Sequence, residues 1–584
     1  MAWFDEAVFY HIYPLGLVDA PKENKYEEPV SRIRNLFPWI DHIKKIGCNA
    51  LYIGPLFESV GHGYETTDYK KLDSRLGTNE DLKDFVKECH KKGVKVIFDG
   101  VFNHTGRDFF AFKDIKENRE NSRYRDWYLN VNFYGNNEYN DGFSYENWGG
   151  YNLLAKLNQR NGEVQGYIAD VIRFWVSEFD VDGIRLDAAD VLDFEFMKML
   201  RRVANEVKPD FWLMGEVIHG DYTRWVNGET LHSVTNYVLH KALYSGHNDH
   251  NYFEIAHTVK RLNDMSGNNS NGLKLYNFVD NHDVERIYTK LNNKAHFCPV
   301  HVLMYGLPGV ASIYYGSEFG IEGRKEKGSD FSLRPYIDLD SKANDYTQNP
   351  CTMIVTRLGM AKQNSKALNY GDYKEIMLTN RQYAFSRNYD GENVLVAVNN
   401  DDNGFDFNLP CWADSYVGVL SGKEIKSENG WLRVHVEGNS GDIFVPKIAA
   451  GDLKTEVDIP KVSEKPLVDK TVDEEKPVEE KVVEESKPVE ISPVVEVAPV
   501  EKTAPVEDKK VANENKATEA SKISYENFEE IMSKKSYEEM TVEELQAGIL
   551  YKMSKNGPIT DQMKKDVSDN IYPNSLLNWI KSFR

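Results

Sequence analysis

Gly183-Ile-Arg185-Leu-Asp187 opens on a glycine, runs through apolar residues and ends in a carboxylate. Three other segments share that build. They are Val94-Lys-Val-Ile-Phe-Asp99, Phe211-Trp-Leu-Met-Gly-Glu216 and Leu275-Tyr-Asn-Phe-Val-Asp280. Short β-branched and aromatic runs punctuated by glycine read as buried strands. Each is followed by a loop and then by helical periodicity, which predicts βα units around a parallel sheet. Working outward, runs at 8–14, 49–55, 94–99, 183–187, 211–216, 233–237, 275–280 and 310–316 complete eight strands. A helix is expected over 79–92, with Thr78 as N-cap and Gly93 as the stop. Another is expected over 163–179, with Ile168, Val171, Ile172, Trp175 and Phe179 on one face. The count is that of a (β/α)8 barrel, which keeps its functional polar groups at the C-terminal ends of its strands. Buried carboxylates without partners are costly, so several at equivalent strand ends point to a shared task.

The segments Asp99-Gly-Val-Phe-Asn103-His104, Gly183-Ile-Arg185-Leu-Asp187, Gly215-Glu216-Val217 and Phe278-Val-Asp280-Asn281-His282-Asp283 resemble, in order and spacing, the α-amylase family, glycoside hydrolase family 13. The resemblance runs from about residue 8 to 340. It implies Asp187 as nucleophile, Glu216 as general acid/base and Asp283 as the group that stabilises the transition state. It further implies that His104 and His282 bind hydroxyls of the sugar at the cleavage point, that Tyr64 stacks on it with His62 beside it, and that Asp330 and Arg334 grip the next sugar. Retaining glycosidases hold their two carboxyl groups roughly 5–5.5 Å apart. Neighbouring strands lie about 4.7–4.9 Å apart, so strand ends at 187 and 216 suit that chemistry. Arg185 is expected to face the same pocket and keep Asp187 ionised. Glu216 is expected to hold a proton near neutral pH. Asp99 counts among the substrate-site candidates, and reads more readily as a structural group that orients Arg185. No cofactor is required. The one metal that the resemblance raises is calcium, with Asn103 as ligand; a plain hydrogen bond is an equal reading of Asn103.

The segment Leu154-Ala-Lys156-Leu-Asn158 resembles the signature of neopullulanases, cyclomaltodextrinases and maltogenic amylases, with Leu-Ala in place of Met-Pro. Secreted α-amylases carry Lys-His shortly after the nucleophile, where this chain has Ala188-Ala189-Asp190. With a first strand at about residue 8, the N-terminal β domain of the neopullulanase group is expected to be missing, and with it that route to a dimer.

Composition divides the 584 residues further. The α/β barrel is expected over 1–104 and 162–365, interrupted by an Asn-, Tyr- and Trp-rich insertion at 105–161 that resembles the family's domain B. Alternating apolar and polar residues at 366–450 predict a C-terminal β-sandwich. Residues 451–520 hold seven prolines, no aromatic residue, and 19 acidic against 11 basic residues. That stretch is predicted to be a disordered acidic linker supplying −8 of the net charge of −21. Residues 521–584 read as a small helical module, with capping boxes at Ser536-x-x-Glu539 and Thr541-x-x-Glu544, and imply an unidentified protein or surface partner.

The acidic balance argues against a nucleic-acid partner. There is no 18-residue apolar run and no apolar leader core, and the five cysteines lack metal spacing, so a cytoplasmic enzyme is expected. The expected function is retaining hydrolysis of α-1,4-glucosidic bonds in malto-oligosaccharides from starch or glycogen. The alternatives are glucanotransfer or trehalose-forming isomerisation through the same covalent intermediate, and an anchored glucan-binding component.

Overall fold

The computed structural model describes residues 2–267, 273–447, Val462 and, between residues 536 and 580, one helix with its flank and a few single positions. The expected linker, apart from Val462, and most of the expected helical module lie outside the described residues. The chain forms two units, 1–475 and 476–584.

Eight parallel strands form the first unit's central sheet. They are β1 (Val8–Ile12), β2 (Ala50–Ile53), β3 (Lys95–Gly100), β4 (Gly183–Leu186), β5 (Trp212–Gly215), β6 (Ser233–Val234), β7 (Tyr276–Asn277) and β8 (Val310–Tyr314). Their order is β6-β5-β4-β3-β2-β1-β8-β7. A single parallel bridge between Thr235 and Tyr276 closes the sheet into a barrel. The helices outside include α1 (Phe37–Lys45), α2 (Asn79–Lys91), α3 (Gly162–Phe179), α4 (Phe194–Val207), α5 (Tyr237–Asn248), α6 (Tyr252–Met265) and α7 (Phe297–Gly306).

The two-residue period of a strand assigns each side chain to one of two cores. Val8, Tyr10 and Ile12 of β1 face the helices, whereas Phe9 joins Tyr52, Ile97, Trp212, Met214 and Tyr276 inside the barrel. The same alternation carries Ile97 on to Asp99, Gly183 to Arg185 and Asp187, and Met214 to Glu216. The register pairs Asp99 with Arg185 and Gly215 with Leu186, so these polar groups emerge at one level of the barrel.

Helix α2 is capped by Thr78, whose hydroxyl accepts from Asp81 N while the Asp81 carboxylate accepts from Thr78 N at 3.0 Å. Thr78→Ala is expected to cost about 1 kcal/mol, read as a lower urea midpoint at unchanged slope. Helix α3 buries Ile168, Val171, Ile172, Trp175 and Phe179, the five residues its periodicity places on one face.

Between β3 and α3, strands His104–Gly106, Asn147–Trp148 and Tyr151–Lys156 make a small antiparallel sheet, and Phe110–Asn118 is a helix. After the barrel come β9 (Asp372–Leu378), β10 (Gln382–Tyr389), β11 (Glu392–Asn399), β12 (Phe405–Pro410), β13 (Ser415–Gly418), β14 (Glu424–Lys426), β15 (Trp431–Val436) and β16 (Ser440–Pro446). They form a six-stranded antiparallel sheet, β9-β10-β11-β16-β13-β14, facing the β12–β15 pair across a core that includes Leu395, Phe407, Leu432 and Phe444.

In the second unit, helix α8 (Val542–Ser554) begins with a Thr541–Glu544 capping box. It contributes Leu545 and Ile549 to a buried cluster with Val567, Leu576 and Ile580. Among the described residues no helix is long and apolar enough to cross a membrane.

Candidate active site

The C-terminal ends of the strands converge on a cleft of about 330 Å³, within the range of small-ligand sites. Of the candidates read from the sequence, Asp187, Glu216, Asp283, His62, Tyr64, His104, Asp330 and Arg334 line it. Asp99 and Arg185 lie one layer below, where their side chains are 0 % and 4 % exposed.

Arg185 is the hub of that layer. Its Nη1 donates to both oxygens of Asp99, at 2.8 and 3.0 Å, and to Asp187 Oδ1 at 2.8 Å. Its Nη2 lies 3.0 Å from Glu216 Oε2. The residue after Asp187, Ala188, takes a left-handed backbone (φ 46°, ψ 43°) that turns its N–H onto Glu216 Oε2 at 3.0 Å. The two carboxylates thus end neighbouring strands, share one guanidinium, and are joined through one backbone amide.

Asp283 is held from the other side. Arg334 Nη2 donates to its Oδ1 at 3.0 Å, and His282 Nε2 lies 3.0 Å from its Oδ2. Arg334 also bonds Asp330 at 3.3 Å and the His282 carbonyl at 3.0 Å. The Tyr64 hydroxyl hydrogen-bonds His282 Nε2 and donates to Asp99 Oδ2 at 3.2 Å, while its ring stacks on the His282 ring at 5.8 Å. One polar chain therefore runs Asp283–His282–Tyr64–Asp99–Arg185–Asp187. His104 is anchored by Tyr64 O at 3.1 Å, and burial holds its imidazole neutral, at a pKa of about 4. His62 is half exposed at the rim, 3.2 Å from Glu65.

Asn103 is fully buried, and its amide is used within the protein: Oδ1 accepts from Gln159 at 3.3 Å and Nδ2 lies 3.2 Å from His104 Nδ1. Among the described residues no group of three or more His, Cys, Asp or Glu side chains converges as a metal site. The donor set at Asn103 does not fit a calcium cage, and no step below runs through a metal.

The electrostatics depart from the expectation for Asp187. Burial, the larger effect, pushes its carboxyl well above the ordinary range, with Arg185 opposing. Burial likewise raises Glu216 and Asp99, again against Arg185. Three buried carboxylates cannot all be balanced by one guanidinium, so the cluster retains a proton to higher pH than isolated carboxylates would.

Several wall residues were not among the sequence candidates. Trp148 and Leu154 reach the cleft from the small sheet, and Asp190 and Ile218 from the loops after β4 and β5. The Tyr237 hydroxyl lies 3.4 Å from Glu216 Oε1 and accepts from Asn281 Nδ2 at 3.0 Å. Tyr52 donates to Asp99 at 2.9 Å. Asp190 stands where the sequence already departs from the Lys-His pattern, a signal that could have marked it; Tyr237 carried no local signal.

Residues 36–367 match the family description "Alpha amylase, catalytic domain". A cyclomaltodextrinase of a Bacillus species is 30% identical over 449 residues, covering 72% of this chain and 77% of the relative. A maltogenic alpha-amylase of Bacillus acidopullulyticus is 29% identical over 430 residues, covering 70% and 71%. Among solved structures, one of a cyclomaltodextrinase superposes with a TM-score of 0.66 at 25% identity, covering 76% of this chain and 78% of that one.

Proposed function

The chain belongs to the α-amylase family, and on that premise we propose that it hydrolyses α-1,4-glucosidic bonds of malto-oligosaccharides with retention of configuration. The observation that carries this reading is the pairing of Asp187 and Glu216 around Arg185 at adjacent strand ends. In the proposed mechanism a glucosyl unit sits with its anomeric carbon over Asp187 Oδ2, the oxygen that Arg185 leaves free. Asp187 attacks, and Glu216 gives its proton to the departing oxygen, breaking the glycosidic bond and forming a glucosyl ester. Glu216, now ionised, takes a proton from water, which attacks the ester from the face the leaving group vacated. Two inversions return the original configuration. Asp283, tied to Arg334 and His282, offers a fixed negative charge to the oxocarbenium-like transition state.

The retained proton is assigned to Glu216 on donor geometry. Asp187 accepts the shorter charge-assisted bond, 2.8 Å from Arg185; Glu216 is held through Oε2 by Arg185 and the Ala188 N–H, each at 3.0 Å, which leaves Oε1, with the Tyr237 hydroxyl at 3.4 Å, to carry the proton. The cyclomaltodextrinase and maltogenic amylase relatives support an α-glucan substrate. The five cysteines are all buried and unpaired, which supports a reducing, cytoplasmic setting.

The test is a product time course on maltoheptaose, with β-cyclodextrin and pullulan in parallel and the anomeric configuration followed by NMR. Glucose and short maltodextrins released as α-anomers are expected. Oligomers longer than the substrate would replace hydrolysis by glucanotransfer, and β-anomers would overturn retention.

A further inference from the structure

A second hollow, about 360 Å³, lies at the N-terminal ends of the barrel strands and so opposite the catalytic cleft. Trp212 and Val310 reach it where β5 and β8 begin, and Phe4 borders it from the turn that precedes β1. Its polar border is made by Arg201 of helix α4, His232 just before β6, Lys274 shortly before β7, and Asp5. The chain carries a net charge of −21, yet this border sets two cations and an imidazole against one carboxylate.

The donors on that border are not spent within the protein. Arg201 gives one hydrogen bond, from Nη1 to the Thr230 carbonyl at 2.9 Å, and meets no carboxylate among the described residues. Burial acts against its charge, and nothing acidic opposes burial. Burial and the nearby Arg201 charge hold the His232 ring neutral, at a pKa of about 4. The Leu213 amide donates to His232 Nδ1 at 3.0 Å, so the ring proton sits on Nε2 and makes that nitrogen a donor. Lys274 gives one bond to the Asn369 carbonyl and lies 4.6 Å over the Tyr370 ring, which leaves N–H groups to spare. Burial pulls its ammonium down to about 8, so it is still charged at neutral pH. The acids nearby have their own partners. Asp5 Oδ2 accepts from Ala2 N at 3.0 Å, and Glu6 is held by Lys366 and the Tyr370 hydroxyl.

We propose that this hollow is a binding site for a phosphate group, as inorganic phosphate or as the monoester of a small sugar, held by Arg201, His232 and Lys274. A guanidinium fork, an imidazole N–H and an ammonium, delivered by three separate elements, match the three free oxygens of a phosphate monoester. The volume leaves room for a small body beside the phosphate, and Phe4, Val226 and Leu231 give it apolar walls. Occupancy is independent of the hydrolase reading, because β5 runs from Trp212 at the hollow to Gly215 below Glu216 and keeps the two sites at opposite ends of the barrel.

The test is isothermal titration and thermal unfolding of the full chain with inorganic phosphate and with glucose 6-phosphate, against glucose and against sodium chloride at equal ionic strength. Both phosphates are expected to titrate to one site per chain and to raise the melting temperature by a few degrees at saturation, and the two controls to do neither. Tighter binding of glucose 6-phosphate would identify the monoester as the occupant, and tighter binding of phosphate the free ion. Arg201→Gln and Lys274→Gln are each expected to weaken phosphate binding by about tenfold. Arg201→Gln also loses the bond to Thr230; should it fail to fold, Lys274→Gln, whose amide can still reach the Asn369 carbonyl, decides alone. A wild type that binds neither phosphate, or that responds equally to sodium chloride, overturns the proposal. So does unchanged affinity in a folded variant.

Discussion

Asp187→Asn is expected to lower maltoheptaose hydrolysis by about 10^5-fold and, at the same time, to raise the melting temperature by a few degrees. The first effect follows from chemistry. An amide of the same shape fills the same space but has no anionic oxygen to form the glucosyl ester, so only slow direct attack by water, with Glu216 and Asp283 still in place, remains. The second follows from the balance of charge below the cleft. Asp187, Glu216 and Asp99 surround one Arg185, and burial raises all three carboxyls above their ordinary values. A carboxyl whose folded value is raised binds its proton more tightly in the folded chain than in the unfolded one. Stability therefore falls as pH rises from the ordinary carboxyl value, 3.8 for Asp187, through the raised one. The asparagine variant lacks that group and is spared its share of the loss. Its advantage should be largest near neutral pH and vanish in acid, where the wild-type carboxyl is protonated in both states. Thermal unfolding of both proteins across that range checks the sign. A variant that unfolds lower than the wild type at neutral pH would mean that Asp187 is paired rather than strained. Activity within tenfold of the wild type would overturn its role as nucleophile.

The same cluster marks how far the sequence can be read. All eight barrel strands fall on the expected segments, most of them apolar because they are buried on both faces; the sixth, Ser233–Val234, has no apolar run to mark it. The runs extend past the ladders: β4 stops at Leu186 and β5 at Gly215, one residue short of Asp187 and Glu216. That overhang is functional, since a carboxylate still in the ladder would be sealed inside the barrel. The two-residue period was enough to put Asp99, Arg185 and Glu216 on the inner face. The sharing of Arg185 among three carboxylates was not legible, because it depends on the stagger between three strands. Hence the expectation that Arg185 keeps Asp187 ionised left out the larger, opposing effect of burial. The small sheet that delivers Trp148 was also hidden. Its strands are as short as Asn147–Trp148, and their aromatic residues have no period to read. Tyr237 lies 21 residues from Glu216 in the chain and meets it only in three dimensions, so its approach to the general acid leaves no trace in the sequence.

Glu216→Gln is expected to separate the two halves of the reaction. Hydrolysis of maltoheptaose should fall by about 10^3-fold, since the departing sugar oxygen needs a proton and glutamine has none to give. A 4-nitrophenyl α-maltoside needs no such help, because nitrophenolate leaves as the anion. With that substrate the variant should still form the ester on Asp187, releasing one burst of nitrophenol per enzyme. Turnover then stalls, for lack of the base that activates water. Azide, a nucleophile that needs no base, should restart it and yield the α-glycosyl azide. The pH profile adds an independent reading. Burial raises the Glu216 carboxyl from its ordinary 4.5, so the basic limb of the wild-type rate should lie above that value, where the acid is lost. The limb should be missing from the variant's nitrophenol burst. Equal losses on both substrates, with no rescue by azide, would move the proton donor away from Glu216. Asp283, a cleft carboxylate held 3.0 Å from Arg334, would then be the next candidate.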